Sequence, residues 1–593
     1  MSAAEKLITD HLDTWTSAIQ TKKTAGRGKS KGSENYGIKK LRELILELAV
    51  RGKLVPQDPN DEPANKLLER IVEEKQRLVE EGKIKKQKPL LAISEEEQPF
   101  DLPQSWKWAR MQEVCGYIQR GKGPKYSDIG STKVVSQKCI QWSGFDLSLA
   151  RFVDELSLEK YQFERFLCDG DLLWNSTGTG TVGRVNVLNS PCVEALVADS
   201  HVTVIRPEIV DSNYLWCYLA SPGIQARINP DHEDSLVSGT TKQVELNTSS
   251  VIALAVPIPS LEEQHRIVAK VDELMALCDR LERQQEASIT AHKTLVQTLL
   301  DALATASERD GFTAAWARIA DHFDTLFTTE WSIDQLKQTI LQLAVMGKLV
   351  PQCVNDESAS EFLKRIAEDK AQLIKNGKIK KQSVPQPIDE GDKPYRLPKN
   401  WEWCRLPDVG ELARGKSKHR PRNDPALYSN GSVPLVQTGD VSRAENVIQT
   451  NTALYNEAGV AQSRLWPKGT LCITIAANIA DTAVLGFDAC FPDSIVGFTP
   501  IDKTISVRYF DYFIRTAKNH LEDYAPSTAQ KNINLEILGK LSVPLPPPQE
   551  LNKIVAKVDE LMALCDSLKA RIKKYQSTQN LFADAVVERA ITQ

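Results

Sequence analysis

The densest cluster of cations in this 593-residue chain is RGKSKHRPR at 414–422, where Arg414, Lys416, Lys418, Arg420 and Arg422 stand in nine residues without an acid. His419 sits among them, and Gly415 and Pro421 keep the stretch an extended loop rather than a helix. Such a loop suits the phosphate backbone of a nucleic acid. A shorter version, RGKGPKY at 120–126, contributes Arg120, Lys122 and Lys125 with Tyr126 interleaved. A charge run is most often solvated surface, but the same R-G-K in two places makes that the weaker reading. A second pairing sets TTKQVELN at 240–247 against STAQKNIN at 527–534, so that Thr241 matches Thr528, Gln243 matches Gln530 and Asn247 matches Asn534. Gln and Asn amides can bond bidentately to adenine, and Thr can take a phosphate or a thymine methyl. The same residues serve equally well as caps that order the chain before a turn. Both roles stay open.

Two enzyme-like patterns fail on their surroundings. GELARGKS at 410–417 matches a phosphate-binding loop, but such a loop must open a helix, and Pro421 and Pro425 follow. GTGTVG at 178–183 matches a dinucleotide fingerprint, yet the β-prone RVNVL comes next, so a hairpin loop is expected. The chain has no Asn-Pro-Pro-aromatic tetrad, no H-E-x-x-H and no nucleophile elbow. The 11 cysteines stand singly without metal-ligand spacing and read as reduced, mostly buried thiols. No catalytic, metal or cofactor site is expected. With 26% charged residues and no apolar run of membrane-spanning length, the chain reads as a cytoplasmic globular protein of several domains. The net charge of −4 gives no global attraction to DNA, so any such case rests on local charge.

The elements that would position these loops come in duplicate. LAVRGKLVPQ at 48–57 recurs as LAVMGKLVPQ at 343–352, a shift of 295 (343 − 48) that also carries GKIKKQ at 82–87 onto 377–382 and LPQSWKW at 102–108 onto LPKNWEW at 397–403. IVAKVDELMALCD at 267–279 is identical to 554–566, a shift of 287 (554 − 267). The chain is a tandem duplication. Each copy runs through a helical segment, a strand-rich module, a V-P-x-P turn and a long helix. Leu41, Leu44, Ile45 and Leu48 lie at helical spacing, and ANKLLERIVEEKQRLVEEGK reads as an amphipathic helix ending near Gly82. Ile267, Val271, Leu274, Cys278 and Leu281 form a heptad stripe, repeated by Ile554, Val558, Leu561, Cys565, Leu568 and Ile572. The long helices are expected at 262–305 and 549–592, with their two stripes able to pack on each other. Between the repeats, 109–255 and 404–542 differ strongly, so each module takes its own ligand. Trp106, Trp108, Trp401 and Trp403 are expected to pack in the module cores. The fold class expected is α+β: two mixed α/β modules separated by long antiparallel, coiled-coil-like helices.

The duplicated L-P-x-x-W-x-W opening, the T-x-Q-x-x-x-N stretch, the V-P-x-P turn and the I-V-A-K-V-D-E-L-M helix together resemble the specificity subunits of type I restriction-modification systems, over nearly the whole chain. The resemblance implies two target-recognition domains at 94–260 and 391–547, each reading half of an interrupted, asymmetric site on double-stranded DNA. Around them lie an N-terminal segment at 1–37, whose basic, Gly/Ser-rich stretch KKTAGRGKSKGS at 22–33 reads as a flexible arm, and helical segments at 38–93 and, with a linker, 306–390. Long spacer helices at 261–305 and 548–593 complete the chain. The resemblance also implies a non-catalytic chain joined by two modification subunits, which methylate adenine at N6 with S-adenosylmethionine, and by restriction-motor subunits that use ATP and Mg. A different class of protein, a bivalent scaffold gripping two protein partners with its basic loops as mere surface, shares the same duplicated layout. Sequence-selective retention on DNA separates the two.

Overall fold

Apolar residues at helical spacing build the helix Tyr36–Val50, which buries Ile38, Leu41, Leu44, Ile45 and Leu48. The computed structural model describes residues 3–21, 33–178, 180–189, 195–240, 243–306, 308–353, 355–380, 387–476, 478–523 and 533–592. The helix ends at Gly52, whose φ of +67° lets the Lys53 amide donate to Leu48 O at 2.9 Å and the Gly52 amide to Ala49 O at 3.3 Å. A Cβ on Gly52 would stand 2.5 Å from Pro103 Cγ. The second copy repeats the joint: Glu330–Val345 ends at Gly347, with φ +70°, a Lys348 amide on Leu343 O at 2.9 Å, and Pro398 Cγ 2.6 Å from a Cβ placed there. The L-A-V-x-G-K block and the L-P-x-x-W-x-W block therefore recur together because they are two sides of one contact.

The tryptophans lock that contact. Trp106 and Trp401 are buried, and their indole N–H groups donate to Glu263 at 3.0 Å and Glu550 at 3.1 Å. Trp108 and Trp403 pack on Phe100 and Tyr395, with ring centroids 5.2 Å apart in both copies. The core role expected of them holds.

Each module is framed by one strand pair, Lys107–Arg110 with Ala255–Ile258 and Glu402–Cys404 with Val543–Leu545, so its entry and exit lie side by side. The central sheet of the first module runs Val185–Val187, Leu172–Asn175, Val202–Pro207, Cys115–Arg120, all antiparallel. The second module keeps this order with Thr482–Leu485, Leu471–Thr474, Ile495–Pro500 and Gly410–Arg414, and adds Val447–Ile448 parallel to its edge. Its middle strands are covered on both faces, which explains their unbroken apolar runs. The smaller second sheets do not match. One pairs Ala195–Ala198, Thr132–Val135, Arg151–Val153 and Tyr126–Ser127; the other pairs Ala453–Tyr455, Val433–Leu435, Ala489–Cys490 and Leu465–Trp466 with different strand directions.

The long helices are Leu261–Thr305 and Pro548–Thr592, 45 residues each and within one residue of the expected starts. The chain divides into two units, residues 1–289 with 575–593, and residues 290–574. Each long helix thus gives its first part to one unit and its last part to the other. The two heptad stripes, able by their spacing to pack on each other, lie in separate cores. In the first unit Ile267, Val271, Leu274 and Cys278 share a core with Leu41 and Ile45 and with Ala583 and Val586 from the end of the second long helix. In the second unit Ile554, Val558 and Cys565 join Leu336 and Ile340 and Val296, Leu300 and Leu303. The physical reason is competition: the helix carried by each copy offers its own stripe an apolar face.

In the N-terminal segment, Leu12–Ser17 is a helix and Trp15 is fully buried in the core of the first unit. Of the basic arm at 22–33, only Ser33 falls within the described residues. Among the described cysteines Cys168 is exposed, Cys353 is intermediate and the rest are buried. No described helix is long and apolar enough to cross a membrane.

Candidate nucleic-acid interface

The two R-G-K motifs occupy the same place in the two central sheets. Strand Cys115–Arg120 ends beside Val202–Pro207, and the Gly121 amide continues the ladder to Val202 O at 2.9 Å while Lys122 N reaches Ala198 O at 3.0 Å. In the second module Gly415 N bonds Ile495 O at 2.9 Å and Lys416 N bonds Phe491 O at 3.2 Å. A Cβ on either glycine would collide with the carbonyls of the facing turn, Ala198 and Asp199 in one copy and Phe491 and Pro492 in the other. Glycine is what lets the strand end pass this turn, and it sets one cation on each side of the crossing.

The facing turn also carries an acid that the sequence did not connect to these loops. In the second module Arg422 meets Asp493 at 2.6 Å and Arg420 stands 4.0 Å from it, while Arg414 Nε donates to Asp493 O at 2.9 Å. His419 Nε2 lies 2.7 Å from Asp424, whose carboxyl is held below its usual range first by the Ala426 amide and then by His419. The loop is therefore acid-free in sequence and partly neutralised in space. Lys416 and Lys418 are exposed, and among the described residues no ion pair engages them. The pattern at 410–417 is a strand end, Gly410–Arg414, with no helix opening after Ser417. That geometry does not build a phosphate-binding loop.

In the first module Tyr126 donates to Asp199 at 2.8 Å, and burial, then this carboxylate, push its phenol up to about 12. Tyr126 is thus a neutral group at pH 7. Lys122 reaches Lys160 O at 3.3 Å and lies over the Tyr161 ring, and Lys125 is exposed. Arg120 pairs with Glu245 at 2.6 Å and donates to Leu246 O at 2.9 Å.

Those last contacts join the basic loop to the other candidate segment. Val237–Thr240 and Gln243–Leu246 form a hairpin, with Thr241 outside the described residues and Gln243 paired to Thr240. Leu246 N bonds Ser176 O at 2.7 Å, and Thr177 bridges Glu245. Leu172–Asn175 and Val185–Val187 pair antiparallel, so the described residues of GTGTVG at 178–183 lie in a hairpin loop, as expected, and Thr177 just before it bridges the Glu245 hairpin. Asn247 takes the first position of helix Thr248–Ala253 with its Oδ1 accepting from Ser238 at 3.3 Å rather than from the helix. Asn534 does cap a helix: its Oδ1 accepts from Ile537 N at 2.8 Å. The Ile533 amide on Ile475 O, at 3.0 Å, reproduces the Leu246 bond in the second module. Thr528 and Gln530 lie outside the described residues. Sequence reading missed Asp199 and Asp493; the R-G-K motif pointed to the strand, but nothing local pointed to the turn facing it.

A family model described as "Type I restriction modification DNA specificity domain" matches twice, at residues 103–291 and 398–575. The Type I restriction enzyme EcoEI specificity subunit of Escherichia coli is 38% identical across 99% of this chain and 100% of its own length. The chain belongs to the type I restriction-modification specificity subunits. The EcoAI specificity subunit of Escherichia coli is likewise 38% identical over 99% of this chain and 100% of its own. The solved HsdS subunit of Thermoanaerobacter tengcongensis aligns over 83% of this chain and 98% of that one, at 17% identity and a TM-score of 0.41. Every candidate loop of this specificity subunit, 120–126, 240–247, 414–422 and 527–534, falls inside the two matched segments.

Proposed function

We propose that this specificity subunit reads a two-part, asymmetric site on double-stranded DNA, with the module at 94–260 reading one half and that at 391–547 the other. The observation that carries the reading is a shared frame with unshared surroundings. Both central sheets end in the same Arg-Gly-Lys crossing, while the second sheets beside them differ in strand order and direction. A common crossing suits the phosphates, which are alike in every sequence, and divergent sheets suit different bases.

Arg120, Lys122, Lys125, Arg414, Lys416, Lys418, His419, Arg420 and Arg422 are assigned to the backbone. Tyr126, Thr241, Gln243, Asn247, Thr528, Gln530 and Asn534 are assigned to the groove or to the sugar-phosphate edge. The chain itself is non-catalytic in this reading. Two modification subunits bring S-adenosylmethionine and methylate adenine at N6; restriction-motor subunits bring ATP and Mg and cleave; the assembly works in the cytoplasm. The test is selection of bound duplexes from random-sequence DNA by the chain with its modification subunit. Recovery of two fixed base runs separated by unspecified bases is the expected result, and recovery of no preferred sequence at low salt contradicts it.

A further inference from the structure

We propose that Trp142 is a base-stacking wedge of the first module, inserted against an opened base step in the half-site that this module reads. The inference rests on the DNA-reading function above and deepens it. Trp142 and Ser143 form the two-residue tip of a hairpin in which Ile140 pairs with Phe145 and Gln141 with Gly144. A two-residue tip offers Trp142 little of its own chain to pack against. Trp142 is 49% exposed, while Cys139 and Ile140 below it are completely buried.

The tip is held on several sides. Gln141 accepts from Arg184 at 2.6 Å through its side chain and from Asn186 at 3.0 Å through its backbone carbonyl, and it donates to Lys138 O at 2.7 Å. These bonds fix Gln141 and so the base of the tip that carries Trp142, which lowers the ordering cost of meeting a ligand.

The neighbours identify the ligand. Arg184 also donates to Gly180 O at 2.9 Å, which ties the Trp142 hairpin to the glycine-rich loop. Gly178 and Gly180 in that loop have φ of +106° and +78°, and a Cβ on Gly180 would meet nothing within 4 Å, so the backbone there is open. Thr177 at its start bridges Glu245, and Glu245 pairs with Arg120 at 2.6 Å. The hairpin that carries the exposed indole is therefore joined, through Arg184 and the glycine-rich loop, to the Arg-Gly-Lys crossing. A cationic crossing and an exposed aromatic ring on connected loops of one module suit phosphates and a base face together. In the second module the chain between Val433–Leu435 and Val447–Ile448 forms a short helix, Thr438–Arg443, without an aromatic residue, so the wedge belongs to one half-site only.

The test uses the chain with its modification subunit on a duplex carrying its methylation-mapped site, titrated over a range of salt, with 2-aminopurine replacing single bases of the first half-site in turn. Trp142→Ala is expected to weaken cognate binding on the order of tenfold. The slope of log K against log salt should stay unchanged, because a stacking ring displaces no counterion. Trp142→Phe should recover most of the loss, and 2-aminopurine at one position should change its fluorescence with the natural chain and not with Trp142→Ala. Unchanged affinity and fluorescence in Trp142→Ala overturn the proposal. A loss accompanied by a flattened salt slope also overturns it, by making the hairpin a phosphate contact. If the natural chain does not separate its site from random DNA, the DNA-reading function itself fails and the wedge falls with it.

Discussion

Arg422 meets Asp493 at 2.6 Å and Arg420 stands 4.0 Å from the same carboxylate, whereas among the described residues no ion pair engages the exposed Lys416 and Lys418. The lysines therefore offer more unopposed charge to a phosphate than the arginines do. Replacing Lys416 and Lys418 together with Ala should weaken binding to all sequences alike and lower the slope of log K against log salt by about 0.9 per lost contact. An unchanged slope would remove the loop from the interface. A second residue-scale prediction concerns Glu550, buried at the start of the second long helix, where burial pushes its carboxyl up to about 7 even though the Trp401 N–H pulls it down. A carboxyl raised on folding contributes stability that is complete below its unfolded value near 4.5 and is lost as pH rises through about 7. Glu550→Gln keeps an acceptor for Trp401 and removes that loss. Its Tm should match the natural chain near pH 4.5 and exceed it by roughly 2–4 °C at pH 8, as thermal melts across that range would show. Equal melting at both pH values would mean that Glu550 is not held above its usual range.

The glycine joints decide how each helical segment meets its module. Gly347 holds φ +70° against Pro398, so Gly347→Ala adds both a left-handed strain and a close contact of 2.6 Å. The expected cost is at least about 1–2 kcal/mol in the melting of the second unit, read by calorimetry, while a melt equal to the natural chain would contradict the joint. At this scale much was legible. The heptad spacing and the Pro-rich turns located both long helices, and the β-prone residues after GTGTVG were enough to read a hairpin. What stayed hidden was non-local. The stripe at Ile267–Leu281 shows that one face is buried but not by what, and the helix at 36–50 occupies it. The turn carrying Asp493 is 71 residues from Arg422 along the chain, and no spacing rule links them.

Across the whole molecule, a net charge of −4 is spread over a chain whose candidate contact loops are locally basic, so binding is a matter of placement rather than of total charge. The duplication was legible because repeated frames keep repeated residues, and the candidate loops were found because they recur at matching points of that frame. The paired residues Thr241 and Thr528, Gln243 and Gln530, and Asn247 and Asn534 illustrate the limit. Shared residues mark a shared position, yet they cannot explain why two modules would read different bases. That difference has to come from the second sheets, Tyr126–Ala198 in one module and Val433–Cys490 in the other, where the sequences no longer align. The most direct measurement is an exchange of residues 94–260 for the equivalent module of a relative with a different site, followed by mapping of methylated adenines in cells carrying the hybrid complex. The account predicts a site in which one half is new and the other half is unchanged. A hybrid that alters both halves together, or one that methylates the original site in full, would contradict it.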